Sequence, residues 1–227
     1  MYDLFSYLSG NPYPGRGILL GCSADGRRAV IAYFIMGRSE NSRNRVFEIT
    51  EDGIRTKAFD ESRMTDPSLI IYHPVRVVDG TTIVTNGDQT DTVADAFRSG
   101  GSWVRALRTR EFEPDGPNYT RISGMVRPDG SYRLAILKSA DGNPACCRRF
   151  FYEYDAPIAG QGHFISTYQT DGDPLPSFEG EPRTVELGDE TAATLADRLW
   201  NSLNADNKVS LFVRTIDLTT GQTDTAI

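Results

Sequence analysis

The chain contains short apolar runs separated by turn-forming residues, a pattern typical of β-strands. Residues 17–22 are apolar and predict a first strand, and residues 29–36 are apolar on both faces and predict a second strand that is buried between layers. Residues 46–50 and 53–58 flank an Asp-Gly turn and predict a hairpin. Short strands joined by tight turns favour antiparallel sheets.

The centre of the chain repeats this pattern and then becomes helical. Residues 69–72 are apolar and predict a strand, and a hairpin follows in which 75–78 and 82–85 flank Asp79-Gly80. A polar loop then leads into a helix predicted over 90–99. Such strand-to-helix junctions are common ligand sites, because backbone N–H groups and short polar side chains converge there.

The second half of the chain predicts more strands and one long amphipathic helix. That helix covers 190–203, where apolar residues recur at helical spacing. Residues 171–182 form a polar, proline-rich loop excursion. The other predictions are helix caps at Thr90 or Asp91 and at Ser102, a helix over 102–110, a hairpin of 121–126 and 131–138, and strands over 148–154, 163–167 and 209–218.

These elements predict one α+β domain over residues 1–227, with stacked antiparallel sheets and helices on the outside. We interpret residues 1–13 as an N-terminal extension. The length of 227 residues and the hydrophobic fraction of 39% suffice for a core of this kind.

Charge and cysteine usage exclude several functional classes. The net charge is −7, so we predict no nucleic-acid partner, because such binding needs a basic surface. The longest apolar run, Ala29 to Met36, is far below the roughly 20 residues of a membrane helix, so we predict no membrane partner. Cys22, Cys146 and Cys147 form neither a disulfide framework nor a zinc motif, so we expect no metal and a reducing, cytoplasmic location.

Several residues are candidates for chemistry, and each also has a structural interpretation. Cys22 would be a nucleophile if the chain cleaved itself before it, but a small cysteine after an apolar strand is usually buried. Arg38, Arg43 and Arg45 share one polar loop, which is either solvated or an anion site. Tyr72 at the end of an apolar run is by default a core residue.

The central segment YHPVRVVDGTTIVTNGDQTDTVAD resembles the archaeal-type IMP cyclohydrolases. That family shows a tyrosine, an arginine-rich strand, a Ser/Thr-Asn-Gly turn and a Thr-Asp-Thr-Ile/Val-Ala-Asp helix start in this order. His73 and Gln89 depart from the family, which has Asn and His at these positions. Further matches are Arg38-Ser39, Asn44-Arg45, an acidic-aromatic-Glu triplet ending at Glu113, residues 118–122, and Ile165-Ser166-Thr167-Tyr168.

The resemblance implies a four-layer αββα sandwich similar to the N-terminal-nucleophile hydrolases. The implied reaction closes 5-formamidoimidazole-4-carboxamide ribonucleotide (FAICAR) to IMP with loss of water, in purine biosynthesis. The implied catalytic residues are Arg45, Tyr72 and Glu113. The implied substrate contacts are Arg38, Asn44, Asn86, Thr90, Asp91, Arg121 and Tyr168.

The resemblance also sets expectations for partners. The reaction needs no metal and no redox cofactor, and its ligand is a small-molecule purine nucleotide. The family tendency predicts a homo-oligomer, either a dimer or a tetramer. Two alternatives remain open: a non-catalytic purine-nucleotide-binding protein of the same fold, which the departures at His73 and Gln89 would suit, and an amide hydrolase that uses Cys22 after self-cleavage.

Overall fold

The computed structural model describes residues 1–64, 67, 70–113 and 119–227. These residues form two antiparallel sheets and short helices, which confirms the predicted α+β class. The strands are β1 (Arg16–Cys22), β2 (Arg28–Met36), β3 (Arg45–Thr50), β4 (Gly53–Ala58), β5 (Val75–Val78), β6 (Thr81–Thr85), β7 (Arg121–Val126), β8 (Tyr132–Ala140), β9 (Asn143–Tyr154), β10 (Gln161–Ser166), β11 (Arg183–Glu186), β12 (Lys208–Asp217) and β13 (Thr223–Ala226). The helices are α1 (Leu4–Ser9), α2 (Glu40–Arg43), α3 (Gln89–Arg98), α4 (Trp103–Arg108) and α5 (Ala192–Ser202).

The two sheets differ in how the chain builds them. The first sheet has the order β11-β10-β1-β2-β12-β13, so the β1–β2 hairpin lies at its centre and later strands flank it. That position suits two strands that are apolar on both faces. The second sheet runs from β3 to β9 in chain order.

The main core lies between the two sheets. Ile18 and Leu20, two residues apart on β1, belong to the same buried cluster as Val84 and Ile136 of the second sheet. Gly124 on β7 allows the close approach, because a Cβ there would lie 2.9 Å from a Leu20 methyl group. The sheets therefore pack through their facing side chains.

Two further apolar clusters involve the helices. Leu8 of α1 and Leu199 of α5 share one cluster with first-sheet residues. Val93 of α3 and Leu107 of α4 share the other with second-sheet residues. No helix among the described residues is long and apolar enough to cross a lipid bilayer.

The predicted strand over 69–72 is wrong for the part that the structure describes. Residue 69 lies outside the described residues, and 70–72 are not in a strand. The β4–β5 ladder pairs Ile54 with Val75 and stops there, because Pro74 has no N–H to continue it. Beyond this point the Thr56 side chain takes the place of a backbone acceptor, because its Oγ1 accepts from the Tyr72 amide at 2.9 Å.

The predicted cap of α3 is also wrong. Asp88 occupies the N-cap position without a side-chain hydrogen bond to the helix. Thr90 instead bonds backward, with its Oγ1 2.7 Å from the Thr85 hydroxyl and 3.0 Å from the Gly87 carbonyl oxygen. At α4 the prediction is confirmed, since Ser102 Oγ accepts from the Arg105 amide.

The hydrophobic pattern missed α1, α2, β11 and β13, which are all short. Helix α1 lies in the segment interpreted as an extension, where Asp3 caps it and Leu4 and Leu8 are buried. In the predicted loop excursion, Ser177 pairs with Tyr168 and Phe178 enters the inter-sheet core. Both segments therefore contribute apolar side chains to the packed interior.

Candidate active site

Strand ends from both sheets meet at one end of the core. Arg16 opens β1 and pairs with Ile35 near the end of β2. Arg45 opens β3 and pairs with Ala58, the last residue of β4. The Arg16 and Arg45 side chains are close enough to interact electrostatically, so the sheet ends face each other across a short gap.

A cavity of about 300 Å³ opens at this end, a volume in the range of small-molecule sites. A larger cavity of about 450 Å³ lies elsewhere, but its lining is mostly apolar and carries a single ionisable side chain, Asp197. The smaller cavity is the candidate site, because it brings together two cations, an acid and three phenols, and because the family resemblance implies three of its lining residues, Arg38, Glu113 and Tyr168. Its lining residues are Tyr13, Arg16, Arg38, Ser39, Asn41, Ser42, Ile70, Glu113, Tyr119, Tyr168 and Leu175.

Arg45 lies directly behind this lining. Its side chain is almost fully buried, with 1% exposure, and its Nε donates to the Ser42 carbonyl oxygen at 2.9 Å. Both terminal guanidinium nitrogens are buried without a hydrogen-bond partner among the described residues. Burial lowers the pKa of Arg45, and the nearby charge of Arg16 lowers it further. A buried cation with open donors favours an incoming acceptor.

Tyr72 lies beside Arg45 and is tied to the first sheet. Its hydroxyl is 2.8 Å from that of Tyr33, a fully buried residue of β2. The Tyr33 ring stacks on Phe47, with ring centroids 5.8 Å apart. Burial raises the pKa of Tyr33 well above its ordinary value, and the interaction with Tyr72 adds to the rise. Tyr33 therefore stays protonated, and its hydroxyl can donate a hydrogen bond to the Tyr72 oxygen.

Glu113 lies in the cavity wall, next to the turn that follows β6. Its backbone N–H donates to the Tyr119 carbonyl oxygen at 3.0 Å, and its Oε1 is 3.5 Å from Asn86 Nδ2. Asn86 is held from both ends of its amide, because Nδ2 donates to Thr120 O at 3.0 Å and Oδ1 accepts from the Ile122 amide at 2.8 Å. Asn86 thus places a donor beside the carboxylate.

Arg121 and Gln89 form a buried network behind Asn86. Arg121 Nη1 donates to Asp88 Oδ1 at 2.7 Å and to Gln89 Oε1. Gln89 Nε2 donates to Asn86 Oδ1 at 3.0 Å. Gln89, one of the two departures from the family, is therefore hydrogen-bonded through both ends of its amide and supports Asn86, which in turn faces Glu113.

The three arginines of the 37–45 loop have separate roles in the structure. Arg45 lies behind the cavity lining, with both terminal nitrogens open. Arg38 lines the cavity, with Nη1 on Asp171 Oδ1 at 2.5 Å and its guanidinium 5.0 Å from the Tyr13 ring. Arg43 points elsewhere, since its Nε donates to the Gly37 carbonyl oxygen at 3.0 Å.

Five of the seven predicted substrate contacts lie outside the cavity lining: Asn86 and Arg121, which belong to the network described above, and Asn44, Thr90 and Asp91. The Asn44 amide bonds the Asp60 backbone at both ends, each at 2.7 Å. Thr90 is buried in the first turn of α3. Asp91 accepts from Arg76 Nε at 2.8 Å, in an ionic cluster that also contains His73. The structure therefore brings Arg38, Glu113 and Tyr168 to the cavity, with Arg45 and Tyr72 behind them.

Sequence reasoning missed Arg16, Tyr33 and Tyr13. Tyr13 stacks on Tyr168 with ring centroids 5.9 Å apart, and both rings line the cavity. A signal for Arg16 was available: it lies two residues before Ile18 on a strand, so its side chain shares the core-facing side. Tyr33 had no comparable signal, because a tyrosine within an apolar run is ordinary core.

Cys22 lies at the far end of β1 from Arg16. It pairs with Ala29 in the sheet and is 1% exposed. Burial, and after it Asp25, raise the pKa of its thiol. Cys22 is six residues along the strand from Arg16, which corresponds to a distance of about 20 Å from the cavity.

The described residues contain no cluster of three or more His, Cys, Asp or Glu side chains that could hold a metal ion.

Comparisons with known proteins agree with one another. Residues 13–222 match the model of a family described as IMP cyclohydrolase-like protein. The chain is 28% identical to the IMP cyclohydrolase of Methanopyrus kandleri over 181 residues, which cover 74% of this chain and 89% of that protein. It is 28% identical over 193 residues to the IMP cyclohydrolase of Methanosphaera stadtmanae, covering 83% and 85%. It is 30% identical over 162 residues to that of Methanococcus maripaludis, covering 69% and 75%.

Proposed function

Since the chain belongs to the IMP cyclohydrolase-like family, we propose that it closes FAICAR to IMP with loss of water. The observation that carries the proposal is that Glu113 and Arg16 line the same cavity. Arg45 lies behind them, with two guanidinium nitrogens that have no hydrogen-bond partner among the described residues. These groups supply what the ring closure requires: a proton-transfer group and cationic donors for a developing negative charge.

The reaction itself is intramolecular. The carboxamide nitrogen attacks the formyl carbon, a C–N bond forms, and the formyl oxygen gains negative charge. One proton from the carboxamide nitrogen and one from the formamide nitrogen end on that oxygen, and the C–O bond then breaks to release water. Because the reacting groups are already tethered, the protein has to orient them and exclude competing conformations.

We assign proton transfer to Glu113 and Tyr72 and charge stabilisation to Arg45. Glu113 is supported by its place in the lining and by the Asn86 amide beside it. Tyr72 is supported by its hydrogen bond to the Tyr33 hydroxyl, which holds the Tyr72 oxygen in place and leaves its proton available whenever Tyr33 is the donor. Proton transfer by a positioned side chain contributes on the order of 10²–10⁴-fold in rate.

The predicted substrate contacts divide into two groups. Arg38 and Tyr168 line the cavity and are proposed to touch the nucleotide. Arg121 and Asn86 are proposed to act by holding the turn beside Glu113. For Asn44, Thr90 and Asp91 we propose an indirect role, in which their hydrogen bonds fix the loops around the site.

We also propose the four-layer αββα arrangement of the N-terminal-nucleophile hydrolases. Its support is the presence of one apolar cluster shared by α1, α5 and the first sheet, and another shared by α3, α4 and the second. A cytoplasmic location belongs with the proposal, because a phosphorylated nucleotide does not cross a lipid layer unaided.

The homo-oligomer, a dimer or a tetramer, is proposed to assemble through β9. This strand has 12 residues, lies last in its sheet and pairs with β8 on one side. If two copies pair antiparallel about Phe151, Arg149 of one copy faces Glu153 of the other on the same side of the sheet. Light scattering at micromolar concentration should then show at least twice the chain mass of 25.1 kDa. Particles of 25.1 kDa alone would refute the assembly.

A non-catalytic nucleotide-binding protein is the second candidate, and the departures at His73 and Gln89 are the observations that favour it. An absorbance assay of FAICAR turnover, run beside calorimetry with IMP, separates the two. Turnover supports the enzyme, whereas IMP binding without turnover supports the binding protein. Intact mass addresses the third alternative, because an uncleaved chain excludes a Cys22 nucleophile generated by self-cleavage.

A further inference from the structure

Arg16 and Arg38 are the two cations in the cavity lining, and Arg38 already donates to Asp171 Oδ1. The Arg16 side chain starts at the first residue of β1 and follows the core-facing side that Ile18 and Leu20 define. It lines the cavity together with Glu113 and Tyr168, whereas Arg45 does not reach the lining. Any ligand in this cavity meets Arg16 before it meets Arg45.

The backbone at Arg16 is fixed on both sides. Its N–H donates to Thr167 Oγ1 at 3.0 Å, and its carbonyl oxygen accepts from the Thr167 amide at 2.9 Å. Gly15 has a φ of +77°, and a Cβ there would lie 2.2 Å from Thr167 Oγ1. At Gly17 a Cβ would lie 2.3 Å from the Phe34 ring. The backbone on both sides of Arg16 is therefore packed so tightly that only glycine fits at positions 15 and 17.

Among the residues that the structure describes, the guanidinium of Arg16 has one buried donor without a partner. Its Nε is buried without a hydrogen-bond partner among the described residues. Burial lowers the pKa of Arg16, but its interactions with Tyr168, Glu113, Tyr13 and Tyr72 together raise it above its ordinary value, so the side chain stays charged. A charged group with an open donor in a partly dry site stabilises negative charge that develops nearby, because it needs no reorganisation during the reaction.

We infer that Arg16 is a catalytic residue that donates to the formyl oxygen of the substrate as the new C–N bond forms. Arg45 lies behind Arg16, and its two open terminal nitrogens remain available to a different acceptor atom of the nucleotide. This inference rests on the proposed function, and it assigns the oxyanion contact to a residue for which the sequence analysis gave no role.

The test compares Arg16→Gln and Arg16→Lys with Arg183→Gln. Arg183 is a matched control, because its Nε is also buried without a partner and its guanidinium lies 4.7 Å from the Tyr7 ring, outside the cavity lining. Loss of one oxyanion donor should lower kcat by on the order of 10²–10³-fold in Arg16→Gln. KM for FAICAR and Kd for IMP should change little, because the contact forms in the transition state. Arg16→Lys should keep part of the rate, and Arg183→Gln all of it.

Chemical rescue distinguishes catalysis from structure. Arg16→Ala should regain activity when millimolar guanidinium is added and should not regain it with methylammonium, because the planar fork is needed. If Arg16→Gln and Arg183→Gln turn over FAICAR equally, the inference is overturned while the proposed function stands. If the Arg16 variants lose IMP binding and thermal stability together and guanidinium restores nothing, Arg16 is structural and the inference is also overturned. If the parent chain itself does not turn over FAICAR, the proposed function fails first and the inference falls with it.

Discussion

The Tyr33 hydroxyl lies 2.8 Å from the Tyr72 hydroxyl and joins a strand of the first sheet to a loop beside the second. Tyr33 is fixed by its buried ring on β2, and Tyr72 by its backbone bonds to Thr56. The bond therefore fixes the position of the Tyr72 hydroxyl, and it is one of the polar links between two sheets that pack mainly through apolar side chains.

Removing either hydroxyl should slow the reaction by different amounts. Tyr72→Phe removes the proposed proton-transfer group and should lower kcat by on the order of 10²-fold or more. Tyr33→Phe removes one hydrogen bond of about 0.5–1.5 kcal/mol and should lower kcat by roughly 2–10-fold. Tyr132→Phe is the matched control, because its hydroxyl bonds His163 and does not face the cavity. Equal kcat in all three variants would contradict the assignment of Tyr72.

Arg45→Lys should weaken IMP binding. The ammonium keeps the charge but loses the planar fork with two open nitrogens, at a cost of about 1–3 kcal/mol if a charge-assisted pair is lost. Calorimetry with IMP measures the change. Arg43→Lys serves as the control, since Arg43 donates to the Gly37 carbonyl and to Asn207 Oδ1. Unchanged affinity in Arg45→Lys would remove Arg45 from the ligand site.

His163 makes stability depend on pH. Its Nδ1 lies 2.6 Å from the Tyr132 hydroxyl, its ring stacks on Tyr154 with centroids 4.0 Å apart, and burial lowers its pKa below the ordinary 6.5. The unfolded chain therefore takes up a proton at a higher pH than the folded chain. Stability should be full above about pH 6.5 and should fall as the pH drops below it, by at most about 1.4 kcal/mol per pH unit.

Denaturant unfolding at pH 7.5 and at pH 5.5 measures this effect. His163→Gln should flatten the difference between the two pH values. Tyr132→Phe should lower stability at both values and keep the difference, because burial, not the hydrogen bond, lowers the pKa. If His163→Gln has the same pH dependence as the parent chain, another group is responsible.

The sequence predicted the strands well where the signal was local. The β5–β6 hairpin follows from two β-branched runs around Asp79-Gly80, and both residues adopt the left-handed conformation that such a turn requires. The strand predicted over 69–72 failed because apolar composition does not reveal how a ladder ends, and Pro74 ends this one.

The site was predictable only in part. Glu113 and Arg38 were identified through a family resemblance, and the structure brings both to the cavity. Arg16 and Tyr33 escaped because their importance depends on which strand ends meet across the two sheets, and residues far apart in the chain decide that. Asp91 matched a family motif, yet it pairs with Arg76 outside the cavity lining, since a motif does not fix where a side chain points.

Glu113 and Tyr72 should act on one proton path. Glu113→Gln nearly conserves volume and should lower kcat by on the order of 10²-fold. Because both groups serve the same transfer, the double variant with Tyr72→Phe should be only slightly slower than the slower single variant. Losses that multiply in the double variant would show two independent roles.

The most direct test of the account is FAICAR turnover by the purified chain, followed by absorbance and confirmed by the formation of IMP. Glu113→Gln, shown by its thermal melting to be folded, provides the comparison. The account predicts that the parent chain forms IMP well above the uncatalysed rate and that Glu113→Gln is slower by on the order of 10²-fold. A folded parent chain that binds IMP and leaves FAICAR unchanged would contradict it.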